Sequence, residues 1–292
     1  MEHPATCSYD GCTRSLWRPD DGRHNGAGAF CIFHSPLSEK KRKEFKEAWE
    51  LFLANTFSDS RTIAALDCAG FIFPVQVDLK NLIITGKVDF SHTLFQKDVS
   101  FEKTTFAKAD FTEARFESNA HFGKSSFERL AVFNHTEFSG KASFDRSEFH
   151  LLMVFSHAHC AGPANFRKAQ FTITRFDHTE FLDDANFTSA RFIDEADFSN
   201  VSFFGNAHFT DAHFDGKTIF DDARFSRFGF FSNINLSCTT ISFGSHARPY
   251  AGDNGNGGKT AASSGFSLSK LWYGLQKRHL KYKSAPILRL FL

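Results

Sequence analysis

The sequence predicts a mainly-β chain, a solenoid of short coils closed by a small N-terminal metal module and helical caps. Phenylalanine, 39 of the 292 residues, recurs at intervals of five or six from Phe90 to Phe225. A small residue stands two places before most of these rings, as at Ala109, Ala114, Ala120, Ala142, Ala164, Ala185, Ala196, Ala207 and Ala212. An α-helix repeats its apolar stripe near 3.6 residues and a strand repeats at two, so neither explains the spacing. A coil whose sides each send one large and one small side chain inward does. The module is predicted by Cys7, Cys12, Cys31 and His34, which form two close pairs near the start of the chain.

Composition bounds the function. Lys and Arg number 34 against 33 Asp and Glu, a balance that speaks against electrostatic capture of nucleic acid by the whole chain. Met1-Glu2-His3-Pro4 lacks the basic and apolar regions of a signal peptide, and no run approaches a membrane span. Of six cysteines, three crowd beside histidines while Cys68, Cys160 and Cys238 stand apart. That pattern suits one metal site in a reducing cytoplasm better than a disulfide framework, and the expected location is cytoplasmic.

Residues 1–37 are read as the metal module. Cys7-x4-Cys12 and Cys31-x2-His34 are separated by eighteen residues rich in Gly, Asp and Arg. They resemble a treble-clef or knuckle-like zinc module. Three thiolates and an imidazole suit tetrahedral zinc, and four protein ligands leave no open position, so Zn2+ is expected to be structural. Gly11 supports the first turn, and His24 is the rival fourth ligand. A segment this short and this poor in large apolar groups needs a staple to hold a fold.

Residues 38–69 are read as a capping helix and connector. Ser38 is the expected N-cap, and Phe45, Trp49, Phe52 and Leu53 form an i, i+4, i+7, i+8 stripe suited to covering an open coil. Lys40, Lys41, Arg42 and Lys43 are read as a solvated face rather than a nucleic-acid contact.

The ladder proper is placed at 70–243. Ala-Asp-Phe-Thr-Glu at 109–113 runs straight into Ala-Arg-Phe-Glu-Ser at 114–118. These units resemble the pentapeptide repeat family. The resemblance implies a right-handed quadrilateral β-helix with the central aromatic and the preceding small residue both in the lumen. The six-residue intervals alternate with fives, placing the extra residues at diagonally related corners; 106→111 and 171→176 lack the insertion and fall on the same side. Phe73, Leu79 and Ile84, with Val77 and Leu82 as companions, extend the ladder backwards, and Leu236 and Ile241 extend it forwards. Cys160 holds a ring position as a buried small hydrophobe rather than a nucleophile, and Met153 is expected to help fill the space it leaves.

A filled solenoid offers no concave site, and no phosphate loop, serine elbow or zinc-protease motif occurs in the sequence. Asp183-Asp184, Asp194-Glu195 and Asp221-Asp222 are expected at turns, where Asp serves local hydrogen bonding. His135, His157 and His178 each lie two places after a ladder residue on successive coils, with His92 and Glu113 on the same line. Such a column is read as a metal site, as a pH-sensitive contact, or as chance stacking on a solvated corner.

The expected function is non-enzymatic: a rigid scaffold or protein-binding module with a protein partner of unknown identity. The family resemblance adds an alternative, a DNA-mimicking modulator of DNA gyrase or another type II topoisomerase. Residues 87–227 carry 21 acidic and 16 basic side chains, a weak negative balance for a DNA mimic. Residues 244–265 read as a Gly-rich linker. Residues 266–292 read as a basic amphipathic segment that caps the last coil, contacts a membrane surface peripherally, or is a disordered or partner-binding tail. Direct nucleic-acid binding is not expected, and a homodimer is left open.

Overall fold

The computed structural model describes residues 7–10, 12–14, 31–35, 42–236 and 241–242. Gly11, His24, Ser38, Lys40, Lys41, Cys238 and the segments 244–265 and 266–292 lie outside the described residues. Among the described residues one helix, α1 (Arg42–Ala54), precedes a parallel β-solenoid of three stacked sheets with 13, 8 and 8 strands. All the strand pairs are parallel. Two sheets each supply one side of every coil. The third bends around a corner and supplies two sides, because strands such as Ser126–Val132 and Glu148–Val154 run through that corner without a break. Each coil is therefore four-sided.

The spacing irregularities of the sequence are register shifts in the structure. Phe106 pairs with Phe127, yet Lys108 pairs with Leu130, because the shorter coil lacks one residue at this corner. The same step separates Phe149–Phe171 from Leu152–Ile173. An extra residue at a corner bulges outward and leaves the inward positions in register.

Ring columns fill the lumen. Phe122 and Phe144 stack with centroids 4.8 Å apart and planes 3° apart, and Phe116–Phe138 and Phe127–Phe149 do the same at 4.8 and 4.7 Å. Columns from opposite sides meet edge to face, as Phe133 does with Phe144 at 5.3 Å and 88°. Stacks and T-shaped contacts both satisfy the ring quadrupole, and each pair adds about 0.5–1.5 kcal/mol beyond burial. Ala109, Ala120, Ala142, Ala164, Ala185 and Ala207 are buried beside them, since a larger side chain there would displace a ring.

At two opposite corners the chain turns through a left-handed residue. Phe133 O accepts from Thr136 N at 3.3 Å, and His135, third in that turn, has φ of 55°. This is the pattern of a type II turn, which favours Gly or Asn at that place. One corner carries His92, Glu113, His135, His157, His178, Asn200 and Asp222; the other carries Asn81, Lys103, Lys124, Arg146, Lys168, Ser189, Asp211 and Asn233. The residue that closes each turn points inward, and where it is Thr or Ser its hydroxyl donates to a carbonyl, in most cases one of the coil below and for Ser125 that of Phe122 in its own turn. Thr93 Oγ1 bonds Cys68 O at 2.8 Å, and Thr136 and Thr179 bond Phe111 O and Phe155 O at 2.8 and 2.6 Å.

Coil pairing begins upstream of residue 70. Thr62–Ile63 and Leu66–Asp67 already pair with Ile83–Asp89, and Cys68 occupies the ring position beneath Phe90. Cys160 is fully buried as expected, and Phe155 leans into the space beside it. That ring leaves its own column, where it lies tilted by 44° to Phe133 and 51° to Phe176. It sits instead between Phe138 and Phe181, nearly parallel to both at 5.7 and 6.5 Å. Met153 is buried in the small-residue position beside it, where the displaced ring leaves room for a longer side chain.

Candidate metal centre at the solenoid cap

The first coil ends in exposed strand edges and ring faces unless something covers them. Helix α1 supplies part of the cover. Phe45 and Trp49, one turn apart on its apolar face, meet Phe73 edge on at 5.6 and 4.9 Å. Phe52 and Leu53 are partly buried against the same core.

The segment 31–35 supplies the rest by imitating a coil. Phe33 stacks on Phe71 at 4.6 Å and 4°, and its carbonyl accepts from Ile72 N at 2.7 Å, the bond a preceding strand would make. The turn that places Phe33 also presents two ligand candidates, because Cys31 O accepts from His34 N and Ser35 N at 3.1 Å. The segment 7–14 closes from the other side, with Cys7 N donating to Arg14 O at 3.1 Å and Cys12 N to Tyr9 O at 3.0 Å.

These two turns bring Cys7, Cys12, Cys31 and His34 together, with one ligand atom from each lying within 4.8 Å of all the others. Cys7 Sγ is 3.4 Å and Cys31 Sγ 3.2 Å from His34 Nδ1, and Cys12 Sγ is 4.0 Å from Cys31 Sγ. A tetrahedral zinc, with Zn–S near 2.3 Å and Zn–N near 2.0–2.1 Å, separates its ligands by about 3.5–3.8 Å. The four positions therefore suit one metal ion, and the sulfur separation is far from a disulfide. His34 Nε2 lies 2.9 Å from Ala69 O, a contact that places the proton on Nε2 and turns the Nδ1 lone pair toward the sulfurs. Cys31 N donates to Cys7 Sγ at 3.2 Å, as backbone amides do for bound thiolates.

The sulfurs differ electrostatically. Burial pushes the Cys31 thiol up to about 12, with Cys7 and Cys12 adding like-charge repulsion. Burial would also raise Cys12, but hydrogen bonds from the Arg14 backbone and side chain outweigh it and lower its pKa. Crowded thiolates of this kind need a cation to stay ionised together.

Three residues that position the site carry no motif in the sequence. Tyr9 stacks on His34 at 4.0 Å and 5°, closing one side of the cluster. Arg14 lays its guanidinium 5.5, 5.0 and 4.9 Å from the rings of Phe33, Phe52 and Phe71, and its Nη1 is 3.8 Å from Cys12 Sγ. Gly70, with φ of 67°, stands at the corner position that His92 fills one coil later, and a Cβ there would lie 2.2 Å from the Tyr9 ring. Only its place on the ladder could have singled it out.

The other sequence candidates lie on the solenoid wall. His135, His157 and His178 do form a column, with rings 4.8 and 4.7 Å apart. Asp183 Oδ1 accepts locally from Asp184 N at 2.7 Å, whereas Asp184 Oδ1 accepts from Asn206 N of the next coil at 2.8 Å. Asp221 Oδ1 accepts from Ser242 Oγ at 2.6 Å. Cys160 is wholly enclosed, and burial drives its thiol far above the ordinary range.

No curated protein matches the chain. The family model described as pentapeptide repeats (9 copies) matches residues 80–126 and 176–224. Between the two matched segments the ring columns and strand register continue through Phe133, Phe144, Phe149 and Phe166. The matched segments and the four-sided coil that joins them are those of a pentapeptide-repeat solenoid.

Proposed function

We propose that the protein is a non-enzymatic scaffold whose solenoid wall binds a protein partner, with structural zinc at Cys7, Cys12, Cys31 and His34 fixing the cap. The observation that carries this proposal is the filled lumen. Phe90, Phe101, Phe111, Phe133, Phe144, Phe166 and Phe187 have no solvent exposure at all, which leaves the outer wall as the interacting surface. That wall is a set of straight side-chain columns on a rigid support, suited to recognition of an equally regular or extended surface. An open cleft of about 520 Å3 on one corner is lined by Lys103, Lys124, Lys141 and Arg167 with Glu102 and Asp145. Arg167 Nε bonds Asp145 Oδ1 at 3.1 Å, so one of its two carboxylates is held in an ion pair. The free thiols and the thiolate–imidazole centre are consistent with a reducing cytoplasm.

The alternative is a DNA mimic directed at a type II topoisomerase, which needs a continuous negative field along the rod. Lys103, Lys124, Arg146 and Lys168 stand one above another on a single corner, which interrupts such a field. We therefore rank the scaffold first. A supercoiling assay separates the two: purified protein at micromolar concentration is expected to leave gyrase activity unchanged, and strong inhibition or protection makes the mimic primary. For the scaffold itself, a partner retained by the intact chain should be lost from at least one variant with charge-reversed wall columns and an unchanged thermal melt. Retention by every such variant overturns the assignment of binding to the wall.

A further inference from the structure

A second group of metal-ligating side chains lies on the outer wall, remote in sequence from the cysteine cluster. His157, Asp177 and His178 each offer a ligand atom within 4.8 Å of the other two. Their positions are set by the backbone. His135, His157 and His178 have φ of 55°, 56° and 57°, so each Cβ leaves the same left-handed turn in the same direction. Coil registry then puts one ring over the next, with 13° between the planes of His135 and His157 and 17° between His157 and His178. His157 N also donates to Asp177 O at 3.0 Å, which ties the two coils together at this point.

Asp177 is half-buried, and its two oxygens have different tasks. Ser156 Oγ donates to Oδ1 at 2.5 Å and fixes the carboxylate, while Oδ2 faces His178 Nδ1 at 3.4 Å. The same corner shows what a simple ion pair looks like: His92 Nδ1 sits 3.2 Å from Glu113 Oε2, with no second imidazole stacked on it. At 157–178 two stacked imidazoles each have a nitrogen within 4.8 Å of one anchored carboxylate, and His178 is in direct contact with it. Protonated rings at this spacing repel each other, whereas neutral rings beside a carboxylate form an N2O donor set for borderline divalent ions.

We propose that His157, Asp177 and His178 form a second, solvent-open metal site that takes one borderline divalent transition ion such as Ni2+ or Zn2+, with His135 on the preceding coil as an auxiliary ligand. The three ligand atoms lie within 4.8 Å of one another, against roughly 3–3.5 Å in a bound shell, so the ion closes the remaining gap by rotation of the exposed side chains while the coil backbone stays fixed. Water completes the coordination, which distinguishes this open site from the closed cluster at the cap.

The test uses the untagged full chain with its N-terminal centre loaded with zinc. Calorimetric titration with Ni2+, with protein-bound zinc measured before and after, should show one further equivalent while the zinc is retained. His157→Gln should weaken that binding by at least about tenfold, the scale on which altered ligation acts on metal affinity. Asp177→Asn should weaken it as well, and His92→Gln on the same column should leave it unchanged. Circular dichroism melts of all three variants should match the parent, since these side chains lie on the outer wall. No Ni2+ binding beyond the cap, or binding that His157→Gln does not alter, overturns the proposal.

Discussion

The cap and the solenoid wall solve the same problem, the burial of a phenylalanine face, by different means. Within the wall each coil is a template for the next. Phe122 meets Phe144, Phe144 meets Phe166 and Phe166 meets Phe187, at 4.8, 5.0 and 4.9 Å. At the cap the same contact is made once, by Phe33 on Phe71, using a turn drawn from a segment with no ladder of its own. Repetition stabilises the wall through nearest-neighbour terms that any coil can supply. The cap has no such neighbour, so its turns depend on Tyr9, Arg14, helix α1 and the ligand cluster. A defect should thus stay local in the cap and be felt through adjacent coils in the wall.

The largest expected effect is on the cap. Binding of structural zinc is worth on the order of 10–16 kcal/mol in small zinc-finger peptides, far more than the segments 7–14 and 31–35 could gain from burial. Replacing Cys7 and Cys31 together by Ala is expected to remove one equivalent of zinc, measured by metal analysis. Amide exchange should then be fast in the segment around Cys31 and in α1 while coils beyond Phe111 keep their protection. Thiol mapping sharpens the contrast: chelation should expose Cys7, Cys12 and Cys31 to alkylation, while Cys160 stays protected until the solenoid unfolds. Metal-free protein with a fully protected cap would sink the staple.

Within the wall, Phe144→Ala should cost about 3–5 kcal/mol in denaturant unfolding, from lost burial and the cavity left between two ring columns. A change within error would mean that the ring is not enclosed. Next comes a corner. Gly162 packs so closely on the coil below that a Cβ would lie 2.5 Å from Gly140 O. Gly162→Ala should therefore cost about 1–3 kcal/mol by forcing the coils apart, and a neutral result would show that this corner can relax.

The smallest effect has the opposite sign. Turn-closing hydroxyls such as Thr136 Oγ1 reach a carbonyl, but Thr174 Oγ1 and Thr218 Oγ1 are buried with no hydrogen-bond partner. Both occupy the lumen position where other coils carry Ala. Thr174→Val keeps the shape and removes the unsatisfied group, so it should raise stability by about 1 kcal/mol. A loss of stability in the same melt would indicate that the hydroxyl is satisfied in solution.

The pentapeptide repeat, the four-sided coil and the alternating corners were legible in the amino-acid order, because each ring must be matched by a small neighbour at a fixed distance along the chain. The same regularity made the stack of His135, His157 and His178 readable, since equal places on successive coils must lie one above another. The four candidate ligands at the cap could be named from their pairing. What the sequence by itself left undetermined is whatever depends on contacts between residues with no periodic relation. Tyr9 against Gly70, Arg14 over three rings and His34 on Ala69 O join segments whose separation carries no signal. The space above Cys160 is the sharpest case. Counting residues pointed to Met153, which is buried there, but did not show that Phe155 also crosses over to lie between Phe138 and Phe181. Only the packed structure decides such a move, because a ring shifts to whichever void its neighbours leave, and that void exists only once the coils are stacked.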